Sequence, residues 1–229
     1  MKVLVIIPAY NEEENILSTI EDIRIHCPDM DYIVINDCSK DHTEKILKEH
    51  NIRYISLPCN LGIGGGVQTG YQYAKEYGYD IAVQFDGDGQ HKAEYLHDLI
   101  KPLVEDEADI AIGSRFLEKE GFQSTGLRRL GIRFLSGVIH ILCKIHVSDV
   151  TSGMRAVNRK FIEEYAVTYA QDYPEPEAIV AAAKLGARIA EVPVKMQERK
   201  KGTSSIGPMR SIYYMIKVSL ALIIAKFSA

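Results

Sequence analysis

Residues 81–91 read IAVQFDGDGQH, and the fold turns on how they are read. The near-continuous apolar run from Asp80 to Phe85 predicts a strand covered on both faces. Directly behind it stand two carboxylates, Asp86 and Asp88, with Gly87 between them to relax the backbone. A solvated acidic turn has the same composition. The position at the end of a buried strand favours another reading, in which both carboxylates reach one hard divalent cation. Mg2+ or Mn2+ held by few protein oxygens keeps positions open for two phosphates and offsets charge on a departing diphosphate.

Working outward, the same strand-then-helix unit recurs. Strands are predicted at Lys2 to Pro8, Asp31 to Asn36, Arg53 to Leu57 and Asp109 to Gly113, with helices at Glu12 to His26, Asp41 to Glu49, Gly65 to Tyr77 and Lys92 to Glu105. That alternation defines an α/β class with a mainly parallel, Rossmann-like sheet flanked by helices. Ligands in such sheets bind where strands end and helices begin, so the strand-end residues should converge on one crevice. Beyond Leu117 a basic segment, Arg128 to Arg133, leads into the apolar stretch Phe134 to Val147. A helix at Glu175 to Leu185, a strand at Arg188 to Val194 and a last helix at Met209 to Phe227 follow.

A length of 229 residues suits one large domain with a C-terminal extension; the expected division is 1–206 and 207–229. Hydrophobic residues at 46%, charged residues at 25% and a mean hydropathy of -0.09 describe a globular body. A net charge of -4 argues against nucleic acid, which needs a basic surface, so any phosphate binding is local. Cys27, Cys38, Cys59 and Cys143 show neither a CxxC pair nor zinc spacing, as expected for reduced thiols of a cytosolic chain. The opening MKVLVIIPAYNEE resembles a signal peptide until Pro8, but glutamates follow without a cleavage site; it reads as a buried strand.

Two further strand ends carry chemistry. Asp37 is positioned for a ribose hydroxyl or base N–H, while Ser39 or Asp41 is placed to cap the next helix. The glycines of Asn60-Leu-Gly-Ile-Gly-Gly-Gly66 match neither a P-loop nor a dinucleotide fingerprint, and suit close packing of a helix beneath a nucleotide.

In order and spacing the motifs resemble the family-2 glycosyltransferases of GT-A fold, in the branch making dolichyl-phosphate mannose and related polyprenyl-phosphate sugars. The matching text is PAYNEEENI (8–16), NDCSKDHT (36–43), NLGIGGGVQTG (60–70), QFDGDGQH (84–91), GSR (113–115), SDVTSGMRAVNR (148–159) and EVPVKMQERKKGTSSI (191–206). Two departures stand out: Asn36-Asp37-Cys38 replaces the usual two aspartates and glycine, and Ser205 stands where lysine is common.

The resemblance implies that Pro8, Tyr10, Glu12 and Asp37 hold the nucleoside, with Asn60 and Gly62 beside them, while Asp86, Asp88 and Gln90 gather around Mg2+ or Mn2+. Asp88, Arg115 and Arg199 would serve catalysis. Arg115, Arg128 or Arg129, and Ser136 would face the diphosphate or the acceptor phosphate, as would Glu177, with Arg199 closing from the C-terminal loop. Arginine forks suit phosphate oxygens. Asp149 and Arg155 are a candidate scaffold pair. The implied reaction is inverting transfer of a hexose or N-acetylhexosamine from a nucleotide sugar, UDP- favoured over GDP-, to polyprenyl phosphate, giving a lipid-linked donor for cell-envelope glycans. A saccharide hydroxyl acceptor is the alternative; it needs a general base, for which Glu175 or Glu177 is the candidate. A non-catalytic nucleotide-sugar-binding subunit is the third reading.

No uninterrupted run reaches the ~18 to 20 apolar residues of a membrane span. Two basic, aliphatic stretches, 131–147 and 212–227, read instead as amphipathic interfacial helices. The expected location is cytoplasmic, peripheral at the inner face of the cell membrane, with a small membrane protein or a homo-oligomer as further partner.

Overall fold

The computed structural model describes residues 1–118, 120–122, 126–197 and 208–227, with backbone alone at 127 and 208–214. One seven-stranded sheet runs through it: β1 (Val3–Ala9), β2 (Asp31–Asn36), β3 (Tyr54–Ser56), β4 (Ile81–Gln84), β5 (Ile110–Ser114), β6 (Arg155–Asn158) and β7 (Ile189–Pro193), in the order β3-β2-β1-β4-β6-β5-β7. Only β6 runs against its neighbours, with Gln84 opposite Arg155 and Ile112 also opposite Arg155 on the other side. The remaining pairings are parallel. β1 is buried at all seven positions, as its unbroken VLVIIPA requires of a central strand with helices on both faces.

Helices α1 (Ile16–His26), α2 (Thr43–Glu49), α3 (Gly62–Glu76), α4 (Leu96–Val104), α5 (Gly126–Cys143), α6 (Arg159–Val167), α7 (Pro174–Lys184) and α8 (Pro208–Phe227) flank the sheet. Alternate β1 residues feed two cores: Leu4 and Ile6 join α3, α5, α6, α7 and α8, while Val5 and Ile7 join α1 and α4. The helix expected as a separate segment at 207–229 contributes Val218 and Leu222 to the first core. Among the described residues no helix is long and apolar enough to cross a membrane.

Three elements, α3, β6 and α6, differ from expectation in ways that bear on the site. α3 begins at Gly62 rather than Gly65, so the glycine run lies inside the helix. Glycine weakens a helix interior by about 1 kcal/mol, but here it permits contact. A Cβ on Gly64 would lie 2.5 Å from Gln171 Cα, and one on Gly70 would overlap the Ile6 side chain. β6 and α6 arise from a stretch with no apolar run. Asn158 links them, its Oδ1 capping α6 at Phe161 N (3.3 Å) and its Nδ2 donating to Asp109 (3.0 Å).

Candidate active site

The C-terminal ends of β1, β2 and β4 surround a crevice of about 360 Å³. One wall is made by Pro8 at the end of β1, by Tyr10 and Glu12, which follow it, and by Asp37, Asn60 and Gly62. Asp86, Gly87 and Asp88 form the wall behind β4, and Glu175 at the start of α7 closes the far side.

The rim is sewn from two loops. Asn11 N donates to Ser39 Oγ (3.0 Å), Glu12 N to Thr43 Oγ1 (2.9 Å) and Glu13 N to Asp41 Oδ2 (3.1 Å). In return Lys40 N donates to Asn11 Oδ1 (2.8 Å) and His42 N to Glu13 Oε2 (2.9 Å). Of the two expected caps of α2, Asp41 takes the Thr43 amide (2.9 Å), whereas Ser39 belongs to this stitching. Asp37 is 4% exposed, and its carboxylate receives Leu61 N (2.7 Å) and Gly62 N (2.9 Å) at the start of α3. Each oxygen keeps a second acceptor site for a ligand.

The unusual Asn36-Asp37-Cys38 turn has a local explanation. Asn36 Nδ2 donates to Ser56 Oγ (2.8 Å), a bond no carboxylate can give. Cys38 holds the left-handed backbone, φ +57°, that glycine favours.

The half-buried Asp86 carboxylate in the crevice wall is backed by the buried Gln84, His91 and Arg155. Asp86 Oδ1 accepts from Gln84 Nε2 (3.4 Å), and Oδ2 lies 3.6 Å from His91 Nε2. Burial raises the Asp86 pKa, but His91, Gln84 and the Arg155 guanidinium outweigh it and hold the carboxyl below its ordinary range. Glu175 is shifted the other way: burial raises it, Arg155 opposes, and the Asp86 charge adds to the rise. Asp88 Oδ1 accepts Gln90 N (3.0 Å) in a turn completed by Gly89 at φ +73°. Among the described residues no three His, Cys, Asp or Glu side chains converge as metal ligands. The crevice offers two carboxylates, a donor set suited to a hard cation whose other ligands are water and phosphate oxygens.

Several expected residues are placed elsewhere. Gln90 does not line the crevice; its Nε2 donates to Gln197 O (3.4 Å). Arg115 is 4% exposed, with Nε and Nη2 each 2.6 Å from Asp149, so its fork meets a carboxylate and not the crevice. The expected partner of Asp149 is corrected accordingly: Arg155 instead donates to the carbonyls of Ser152 (2.8 Å), Val150 (2.9 Å) and Glu175. Ser136 is buried in α5, donating to Val147 O, and does not line the crevice. Arg128 and Arg129 lie in the first turn of α5, and Glu177 lies two residues beyond Glu175; none lines the crevice. Arg199 lies outside the described residues. Sequence reasoning gave no role to His91, 5% exposed, although it closes the quoted motif. It also passed over Gly153, whose only signal is a glycine ahead of a short strand.

Strand order, one reversed strand and a crevice at the parallel ends define the GT-A class of α/β folds. The Glycosyl transferase family 2 model matches residues 4–166, and the chain belongs to that family. It is 32% identical over 213 residues to the Methanococcus voltae protein named UDP-N-acetylglucosamine–dolichyl-phosphate N-acetylglucosaminyltransferase, covering 84% of each chain. It is 29% identical over 220 residues to the undecaprenyl-phosphate mannosyltransferase of Micrococcus luteus, covering 90% of this chain and 88% of that one. Glucosyl-3-phosphoglycerate synthase from Mycobacterium tuberculosis, solved with Mn2+, UDP-glucose and phosphoglyceric acid, shares the fold at a TM-score of 0.74 and 20% identity. The match covers 98% of this chain and 79% of that one.

Proposed function

We propose that the protein transfers a hexose or N-acetylhexosamine, with inversion, from a nucleotide sugar to the phosphate of a polyprenyl lipid. The observation that carries this reading is the crevice itself, which brings Asp86 and Asp88 together with Pro8, Tyr10, Glu12 and Asp37. The names of the relatives, which act on dolichyl or undecaprenyl phosphate, support the acceptor. In this reading the nucleoside lies along the wall behind β1 and β2, and UDP is the favoured carrier. Asp86 and Asp88 hold Mg2+ or Mn2+, whose contribution is to offset charge on the departing diphosphate. Arg199 and the α5 cations Arg128 and Arg129 receive phosphate oxygens. A lipid phosphate is ionised near neutral pH, so the chain's task is to position it and neutralise its charge, without a general base.

The membrane-facing surface is the one formed by α5 and α8. Leu130, Phe134, Ile141, Ile216, Leu220, Ile224 and Phe227 are exposed there, beside the exposed Arg128, Arg133 and Lys144. That mixture suits a peripheral position at the cytoplasmic face, alone or with a membrane-protein partner or second copy.

A second reading rests on Glu175. A half-buried carboxyl with a raised pKa lining the crevice has the properties of a general base for a hydroxyl acceptor.

The test is incubation with a panel of UDP- and GDP-sugars, polyprenyl phosphate and Mn2+ or Mg2+, followed by lipid extraction. An acid-labile sugar-lipid formed by wild type and by Glu175→Gln alike supports the phosphate acceptor. Product only with saccharide acceptors, abolished by Glu175→Gln, replaces it with the second reading.

A further inference from the structure

The reversal of β6 has a geometric result at the crevice. Its register against β4 pairs Ile81 with Asn158 and Gln84 with Arg155. Continued two residues past the end of the ladder, that register brings Asp86 opposite Gly153. The two meet: a Cβ on Gly153 would overlap Asp86 Oδ2 and lie 2.7 Å from both Cγ and Oδ1, and these are the three nearest atoms to it. The Asp86 carboxylate therefore occupies the notch that the missing side chain leaves.

The loop carrying that notch is firmly held. Arg115 grips Asp149 through two guanidinium bonds and through its backbone N–H (3.1 Å), and Nη2 also donates to Thr151 Oγ1 (3.1 Å). Glu191 accepts the amides of Ser148 (2.8 Å) and Asp149 (3.0 Å), and Arg155 donates to the carbonyls of Val150 and Ser152. On the other side of the carboxylate, His91 and Gln84 limit its rotation, and Gly87 is confined by Pro8 O, 3.1 Å from where a Cβ would sit.

We propose that Gly153 is a positioning residue for the divalent cation of the nucleotide. Its bare backbone seats the Asp86 carboxylate in one orientation before the ion arrives, and the Arg115–Asp149–Glu191 brace keeps the seat rigid. This rests on the assignment of Asp86 as a cation ligand. A methyl group at 153 drives the carboxylate out of the notch, since the three atoms nearest to it all belong to Asp86. Groups that orient a ligand in this way typically alter metal affinity ten- to a hundredfold when changed.

The experiment uses the full chain as wild type, Gly153→Ala, Asp86→Ala and the double variant. Free Mn2+ is measured by electron paramagnetic resonance during titration with and without UDP, and melting is followed for each protein. The expected result is a folded Gly153→Ala protein whose Mn2+ affinity in the presence of UDP falls roughly ten- to a hundredfold. Its affinity for UDP without metal should be unchanged, a separation that a general structural defect would not produce. Wild-type Mn2+ affinity in Gly153→Ala, with binding lost in Asp86→Ala, overturns the inference and leaves the functional reading intact. Retention of Mn2+ by Asp86→Ala overturns the cation assignment itself. If Gly153→Ala does not fold, the double variant decides, because removing the carboxylate vacates the space. Recovery of folding in the double supports the notch, and failure of the double to fold refutes it.

Discussion

Removing Asp149 separates two accounts of Arg115. In the structure Asp149 is fully buried and Arg115 4% exposed, joined by two 2.6 Å bonds in fork geometry. Asp149→Ala leaves a guanidinium inside the protein with its main counter-charge gone, and breaking a buried pair from one side costs about 3–5 kcal/mol. Against a total stability of about 5–15 kcal/mol this is a large fraction. With a urea slope of about 2–3 kcal/mol/M the denaturation midpoint should fall by about 1–2.5 M. Arg115→Met should be comparably damaging, since it leaves Asp149 charged in the same place. Arg115→Met combined with Asp149→Leu should recover most of the loss, because an apolar pair of similar volume avoids burying charge altogether. Urea melts of the four proteins of this cycle, alongside kcat and KM for the nucleotide sugar, complete the test. An unfolding free energy for Arg115→Met within about 0.5 kcal/mol of wild type, together with a large rise in KM, would refute the brace and restore Arg115 as a phosphate ligand.

Three further outcomes are expected. Asp109, held below its ordinary pKa mainly by the Arg188 side chain, contributes stability that is present above the unfolded carboxyl value and lost as pH falls through the folded one. Asp109→Asn should therefore melt lower than wild type at pH 7, with the gap closing below about pH 4; an unchanged gap in the acid range would discount the charge. Cys38→Gly relieves a left-handed φ of +57° and should raise stability by up to about 1 kcal/mol in urea melts, whereas a loss would show that the Cys38 contact with Pro58 O outweighs the strain. Cys59 is exposed, while burial beside Asp29 and Asp22 pushes the Cys27 thiol up to about 12. Iodoacetamide at pH 8 followed by peptide mapping should label Cys59 in the native state and Cys27 only in denaturant; early labelling of Cys27 would contradict its burial.

The elements legible in the sequence are those whose burial leaves a pattern. β1, β2, β4 and β5 carry apolar runs, and the chemistry behind them, from Pro8 to Asp37 and Asp86, reaches one crevice because parallel strands end on the same edge. β6 was not legible, because Arg-Ala-Val-Asn is too short and too polar at its ends to read as a strand, although Arg155 is buried by its carbonyl partners. The start of α3 was misjudged because a glycine run weakens helix propensity, and contacts with residues 170–171 override it. Arg115 and Asp149 each match the family text, yet nothing in a linear order states that they face one another. The same applies to Gly153, whose reason for being glycine is a carboxylate 67 positions earlier in the chain.

The reciprocal stitching of the β1–α1 and β2–α2 loops ties their fates together. Because amides of each loop are satisfied by side chains of the other, transplanting one from a relative would strand polar groups on both. Recombination or design aimed at a different nucleobase should exchange residues 10–15 and 37–43 as a single cassette. Natural variation at Asn11 and Glu13 should likewise be accompanied by change at Ser39 to His42.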